Sequence, residues 1–216
     1  MSVSRLRLCV GVLVLSATAA FAVSCGQEEH GRPCPDGRGK DISGRDVAGV
    51  ELGQKTLRCV NLERSALTGS VSEANLSRGN LFGARLVEVS LENVDLRDAD
   101  LRRAEITSSM LDGVDLRGAD LGGAVLDEGL LTNVSFGGAR LKGARLRSVS
   151  LTNVDLSDAD LRDADLTGAT LSGSTLRGAR LDGAGLSDMS WEDVVCPDGT
   201  KSVGTQSCTG HLTPAS

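Results

Sequence analysis

From Leu76 to Trp191 every fifth residue is large and apolar, which gives 24 consecutive centres: 21 Leu plus Ile106, Phe136 and Trp191. Two residues before each centre sits Ala, Val, Gly or Ser, with Met189 the exception. A period of five fits neither regular element. On an α-helix successive centres would rotate by roughly 140° and form no stripe. On a flat strand an odd period sends alternate centres to opposite faces. The pattern therefore predicts a chain that turns a corner within every five residues. The small residue and the centre point inward from a short flat side, and the two residues after the centre make the corner. Gly fills the second corner position repeatedly, for example at Gly113, Gly118, Gly138 and Gly178, where a positive φ is sterically cheap.

Four sides per circuit predict a 20-residue period, and the small positions carry one. Val recurs at 94, 114, 134 and 154. Ala recurs at 99, 119, 139, 159 and 179 and again at 104, 124, 144, 164 and 184. The remaining side is mixed, with Val89, Ser109, Gly129, Val149, Ala169 and Met189. Upstream, Ile42, Val47, Leu52, Leu57, Leu62 and Leu67 are also five apart but one residue out of phase, and the step from Leu67 to Val71 is four residues. Residues 42–73 read as a degenerate opening coil or cap, in which Lys40, Arg45 and Lys55 occupy small inward positions and cannot all be buried unpaired.

Asn75-Leu76, Asp100-Leu101, Asp120-Leu121 and Asp160-Leu161, each preceded by Ala, resemble the A-(D/N)-L-x-x unit of the pentapeptide-repeat family. The resemblance covers residues 74–193. It implies an all-β fold, a right-handed quadrilateral β-helix of about six regular coils plus an irregular N-terminal coil or cap.

Composition supports a solenoid over a layered core. Only 2% of the 216 residues are aromatic, with no Tyr, so aromatic bulk cannot fill an interior. Only two His occur, His30 and His211, one near each end, which removes most His-based catalysis from the array. A net charge of −6 gives no basic excess for nucleic acid.

The first residues read as an export address. Arg5 and Arg7 precede the uncharged stretch 8–21, which is short for a transmembrane span. Ala20-Phe21-Ala22 offers an ordinary cleavage site. Ala22-Val23-Ser24-Cys25 resembles the lipobox of bacterial lipoproteins, with Ala22 in place of the usual Leu. Removing residues 1–24 as signal leaves five Cys, an odd number. A lipid on Cys25 would leave Cys34, Cys59, Cys196 and Cys208 for two bridges in an oxidising compartment. A lone thiol at the mature start is the alternative. Residues 25–41 read as a polar tether. By the same resemblance, Gly26 after Cys25 lacks the Asp that retains such proteins at the inner membrane, so the outer membrane or cell surface is expected. A secreted or periplasmic soluble form is the other outcome.

Within residues 194–216, Cys196-Pro197-Asp198-Gly199-Thr200 resembles a tail that follows such arrays in exported bacterial proteins. That likeness implies a Cys196–Cys208 pair. A Cys34–Cys59 bridge would close the N-terminal segment. A zinc or redox site is the competing reading, but no C-x-x-C pair is present.

The candidate surface chemistry is charge. Asp95, Asp115 and Asp155 should stack on one side, and Asp100, Asp120 and Asp160 on the next. A calcium site within 155–165 would need converging ligands rather than a flat ladder, so no metal is assigned. Arg140, Lys142, Arg145 and Arg147 form a cationic band with no acid from Thr132 to Leu151, the candidate interaction surface. Outward apolar residues are rare; Met110, Val125 and Leu130 cluster around one corner. No nucleophile elbow, phosphate loop or cleft-forming pattern is present. The expected function is a non-enzymatic, cofactor-free envelope lipoprotein. It would be membrane-bound through its lipid and would present a rigid scaffold to a protein or polymer partner, with no nucleic acid or small-molecule substrate. The family also contains DNA mimics that protect topoisomerases, against which the export signal and the cysteines argue. A carboxylate-based or calcium-dependent enzyme is the third class.

Overall fold

The computed structural model describes residues 39–202, 208 and 210–213. The expected signal segment, Cys25, Cys34 and nearly all of the tether lie outside the described residues.

Nine three-residue strands occur among the described residues: β1 (Asp46–Ala48), β2 (Ala66–Thr68), β3 (Ser70–Ser72), β4 (Ser90–Glu92), β5 (Met110–Asp112), β6 (Leu130–Thr132), β7 (Ser150–Thr152), β8 (Thr170–Ser172) and β9 (Ser190–Glu192). Strands β3 to β9 form one parallel seven-stranded sheet in which each residue pairs with the one 20 further on, as Leu91 with Leu111 and Leu151 with Leu171. This is the sheet wall. The other three walls are ladders of single parallel bridges at the same interval: Asp95–Asp115–Ser135–Asp155, Asp100–Asp120–Arg140–Asp160, and Glu105–Val125–Arg145–Asp165. The result is a four-sided parallel β-solenoid of about seven turns. The centres and small residues line one continuous core, with Leu121, Phe136 and Leu151 fully buried.

The five-residue unit has a local cause. At two of the four corners the carbonyl of the centre accepts the N–H of the small residue three positions on in every circuit of the regular array, as in Ala99 to Leu96 (3.1 Å) and Ala104 to Leu101 (3.0 Å); at the corner entering the sheet wall the bond forms at Gly129 (3.3 Å) and Ala169 (2.9 Å) but not at Val89, Ser109 or Val149. The residue two after the centre has positive φ at every corner of the regular array, whether it is Gly138 (+65°), Asp98 (+56°) or Arg103 (+57°). A turn closed from i to i+3 with positive φ at its third residue is type II. The corner leaving the sheet wall has no closing bond and keeps only the bond to the next circuit that the other corners also make, with Asn93 N–H on the carbonyl of Asp112 (2.8 Å). The recurrent Val94, Val114, Val134 and Val154 sit just after this open corner, each 1% exposed. The closed turns of the array carry Ala in the same place, or Gly at 79 and 129.

The degenerate opening segment is part of the same stack. Asp41 bridges Asn61 and β1 pairs with β2, both at an interval of 20, whereas Thr56–Asn75, Asn61–Asn80 and Ala66–Arg85 are 19 apart. The four-residue step from Leu67 to Val71 is the source. Thr68 and Gly69 (φ +75°) make the corner, and Ser70 already points out of β3, so the missing residue is the small inward one. One circuit earlier the same wall is a 3-10 turn, Gly49–Glu51, with the buried backbone of Gly49 packed against the Ser70 carbonyl. Lys40, Arg45 and Lys55 are exposed there, and Lys55 donates to the Glu51 carbonyl, so none is buried unpaired.

The C-terminal end is closed by the chain returning antiparallel. Val195 pairs with Lys201, Ser202 N–H reaches the Val194 carbonyl (2.8 Å), and Cys196 is disulfide-bonded to Cys208 with Cα atoms 5.5 Å apart. Cys59 is also disulfide-bonded; Cys34, the partner expected from sequence, lies outside the described residues.

Candidate interaction surface

The residue before each centre does two jobs. Its side chain points outward, and where it is Asp or Asn its first oxygen accepts the backbone N–H two residues on: Asn80 for Phe82 (3.1 Å), Asp120 for Gly122 (3.1 Å), Asp155 for Ser157 (2.9 Å). This side-chain cap takes up a donor that the tight corner leaves exposed, which is what Asp and Asn do best in turns. Where the capped residue is Arg, a fork closes as well. Asp100 Oδ1 accepts Arg102 Nε (2.8 Å) and Oδ2 accepts Nη2 (2.6 Å), and the same fork joins Asp95 to Arg97, Asp115 to Arg117 and Asp160 to Arg162. The Arg102 fork holds the Asp100 carboxyl below the ordinary carboxylate range, and Arg162 does the same for Asp160. At Asp115 partial burial pushes the other way and is outweighed by Arg117. The acidic ladders are therefore neutralised from within.

The Arg140–Arg147 band is neutralised too. Arg140 lies 3.8 Å from Asp120, Lys142 lies 3.7 Å from Asp163, Arg145 donates from Nε to Asp127 (3.1 Å), and Arg147 Nε lies 2.5 Å from Asp165. The acid-free run in sequence is not acid-free in space, because the neighbours of residue i are i±20, and circuits 120–128 and 160–165 supply the aspartates. The surface there is zwitterionic, not a bare cationic stripe. The Asp155–Asp165 stretch sends its carboxylates to separate partners as well: Asp155 to Ser157, Asp160 to Arg162, and Asp165 to Thr167 and Arg147. Thr167 and Arg147 together lower the Asp165 pKa to about 2. Among the described residues no group of three or more His, Cys, Asp or Glu could hold a metal ion.

Two features escape a residue-by-residue reading. Phe82, at a corner, carries Arg102 and Arg103 guanidinium carbons 5.5 and 5.9 Å from its ring centroid. Inside, Ser109 and Ser174 bridge circuits: Ser109 Oγ donates to the Leu86 carbonyl (2.6 Å) and accepts from Val89 N–H (3.1 Å), and Ser174 Oγ accepts from Val154 N–H (3.0 Å). Among the described residues no buried side-chain polar atom lacks a partner. A 20-residue column alignment reveals both, since each contact joins positions one circuit apart.

A shallow cleft of about 600 Å³ opens where the inward residue is missing, lined by Ala48, Val50, Gln54, Thr68 and Ser70 among others. At the tail, Asp198 caps Thr200 N–H (2.9 Å) and meets His211 Nδ1 (2.7 Å). Thr200 first and His211 second bring the Asp198 pKa down to about 2.

Among solved structures the chain is similar to the trypsin-treated form of QnrB1, a plasmid-mediated fluoroquinolone resistance protein. The two are 17% identical over 72% of this chain and 90% of that one, with a TM-score of 0.46. It is also similar to HetL, a pentapeptide repeat protein involved in heterocyst differentiation regulation in the cyanobacterium Nostoc sp. strain PCC 7120, at 24% identity over 76% and 92% of the chains and a TM-score of 0.31. A third similarity is to a pentapeptide repeat protein of the Arabidopsis thaliana thylakoid lumen, at 31% identity over 46% and 63% and a TM-score of 0.27. No curated protein matches the sequence. The pentapeptide-repeat model matches residues 72–107, 84–123, 109–147 and 150–188, eight copies that together span more than half of the chain. With the A-(D/N)-L-x-x unit, the capped corners and the stacked four-sided circuits in agreement, the chain belongs to the pentapeptide-repeat family.

Proposed function

We propose that this protein is a non-enzymatic scaffold of the cell envelope, exported by its N-terminal signal and lipidated at Cys25. Residues 25–41 would tether it, and its repeat walls would face a protein or polymer partner. The observation that carries the scaffold part is the commitment of the outer charges to one another, within a circuit or between neighbouring ones. The Asp–Arg forks and the Arg140–Arg147 pairs occupy the groups that a catalytic site would need free. The anchoring part is supported by the charge layout of residues 1–21 and by the odd cysteine that begins the tether.

Palmitate labelling of the full-length protein and of Cys25→Ser tests the anchor. Label on the wild type, lost in the variant together with membrane fractionation, is the expected result. Label that survives Cys25→Ser, or an exported wild type without label, overturns the anchor in favour of a soluble secreted or periplasmic protein. An unprocessed cytosolic wild type that inhibits gyrase supercoiling overturns the envelope reading in favour of topoisomerase protection.

A further inference from the structure

The charges of the array are segregated by wall. Between residues 70 and 193 the three bridge walls and the corners between them hold twelve Lys or Arg against twelve Asp or Glu. The sheet wall and its two flanking corners are different. Along the corner leaving the sheet run Glu73, Glu92, Asp112, Glu192 and Asp193; along the corner entering it run Glu88, Asp127, Glu128 and Asp188. The one Lys or Arg on this wall is Arg147, which is committed to Asp165 (2.5 Å). The array's whole charge imbalance falls on a single wall.

Asp127 is taken by Arg145 and by the Arg147 backbone N–H, whereas the other hydrogen-bonded carboxylates of the wall meet neutral partners. Asn133 Nδ2 donates to Asp112 (3.0 Å), Ser108 Oγ to Glu128 (3.4 Å) and Ser172 Oγ to Glu192 (3.3 Å). Glu73, Glu88, Glu92 and Asp112 are exposed. Between the two acidic edges the first residues of β3 to β9, which point outward, are uncharged: Ser70, Ser90, Met110, Leu130, Ser150, Thr170 and Ser190. Met110 and Leu130 are direct register partners, 52% and 43% exposed. Apart from Val50 (81%), they are the exposed large hydrophobic residues among those described. An apolar pair therefore sits mid-wall on a neutral strip, between two negative rails. Glu88 and Glu92 stand on opposite sides of the strip four residues apart, at most about 13 Å at the strand rise.

From this arrangement we infer that the sheet wall docks a basic amphipathic polypeptide segment. Its apolar side chains rest on Met110 and Leu130, and its Lys or Arg side chains reach the rails on either side. The strip holds the rails too far apart for one metal ion, which needs ligands converging within about 2.6 Å. A segment of about helix width, roughly 10–12 Å, lies between them. A bare polycation would leave the apolar pair uncovered, and an apolar partner would leave the rails unused. Charge complementarity steers encounter and sets register, while the desolvated centre supplies the anchor. The inference rests on the scaffold reading but is independent of the lipid anchor.

The test titrates purified, disulfide-intact protein with a fluorescent synthetic peptide of mixed Lys and Leu. An Asp/Leu peptide and a Lys/Ser peptide of equal length serve as controls. The Lys/Leu peptide is expected to bind best and to weaken with salt. Glu92→Gln with Asp112→Asn, and separately Met110→Ser with Leu130→Ser, should each weaken it about tenfold or more. Asp98→Asn with Asp158→Asn, on a bridge-wall corner, should leave it unchanged, and melting curves certify each fold. Equal weakening by the Asp98/Asp158 variant overturns the assignment, because attraction is then unspecific. So does equal binding of the Lys/Ser peptide. Concentration-dependent self-association that Leu130→Ser abolishes overturns it in favour of a second copy on this wall. Binding of the Asp/Leu peptide alone, lost on neutralising Arg140 and Arg145, overturns the wall and leaves the scaffold reading standing.

Discussion

Asp100 and Arg102 form a closed ring across one corner: a single carboxylate takes the backbone N–H of Arg102 (3.1 Å) on the oxygen that also receives Nε, while its second oxygen receives Nη2. The cap is a property of the turn, and the fork a property of the Arg. The two can be separated. Asp100→Asn keeps the capping oxygen and loses the ionic fork; Asp100→Ala loses both. The Ala variant should lower stability by about 1 kcal/mol, the worth of one intramolecular hydrogen bond, and the Asn variant by clearly less. Chemical denaturation of both variants checks this. Equal losses would place the stabilisation in the charge and remove the cap from the account.

The corner glycines divide into two kinds. Gly138 has φ +65° and nothing within 4 Å of a β-carbon built on it, so Gly138→Ala should cost only the left-handed conformation, about 1–2 kcal/mol. Gly178 has φ +73° and the Asp158 carboxylate against the same position. Gly178→Ala should therefore cost more, and adding Asp158→Ala should recover the excess while leaving the conformational part. A double-mutant cycle without coupling would refute the stacking of Asp158 on Gly178.

The 20-residue alternation of Val and Ala was readable in the sequence; its cause was not. Val94, Val114, Val134 and Val154 recur on one wall in the sequence, and in the structure they follow the corner that carries no closing turn bond in any circuit of the regular array. Exchanging the two types tests the assignment. Ala139→Val crowds a closed turn and should cost about 1–3 kcal/mol by overpacking. Val134→Ala opens a cavity at the open corner instead. Thermal melts should show both destabilised; a neutral Ala139→Val would mean that the closed turns are not narrow.

Sequence periodicity revealed the circuits, the inward positions and the corner glycines because each of these is a local requirement repeated every five residues. The slip at Leu67–Val71 was visible as a number, but its form depends on the 3-10 turn at Gly49–Glu51 filling in behind it, and no period announces that turn. The charge picture misled for a similar reason. Arg140 to Arg147 look unopposed along the chain, while Asp120, Asp127, Asp163 and Asp165 are 18 to 21 residues away in sequence and adjacent in space. The acidic rails beside Met110 and Leu130 emerge only when the chain is read in columns of four sides.

The Cys196–Cys208 bridge spans 12 residues and ties the returning tail to the final circuit. Loop-entropy arithmetic gives such a bridge about 3 kcal/mol. In a solenoid each circuit touches only its neighbours, so the loss should be local. Hydrogen exchange on the Cys196→Ser/Cys208→Ser variant should show protection falling in residues 176–195 and unchanged in residues 96–160. A uniform loss along the array would mean that the stack unfolds as one unit and that the tail is not a separable cap.

Asp165 and Asp198 make the fold acid-sensitive in a defined window. Thr167 and Arg147 lower the first to about 2, and Thr200 and His211 lower the second to about 2. Unfolded, both return to about 3.9. A depressed native pKa favours the folded state fully above the unfolded value, and that contribution drains away as the pH falls toward the native one. The melting temperature should therefore vary little with these groups between about pH 7 and pH 5, then fall steeply from about pH 4 toward pH 2. Asp165→Asn with Asp198→Asn should start lower at neutral pH and show a shallower acid limb, since the groups that bind the extra protons on unfolding are gone. Added salt should weaken the Arg147 share and spare the Thr167 and Thr200 hydrogen bonds, so most of the acid limb of the wild type should persist at high ionic strength. An acid limb equally steep in the double variant would assign acid sensitivity to the Asp100 and Asp160 forks.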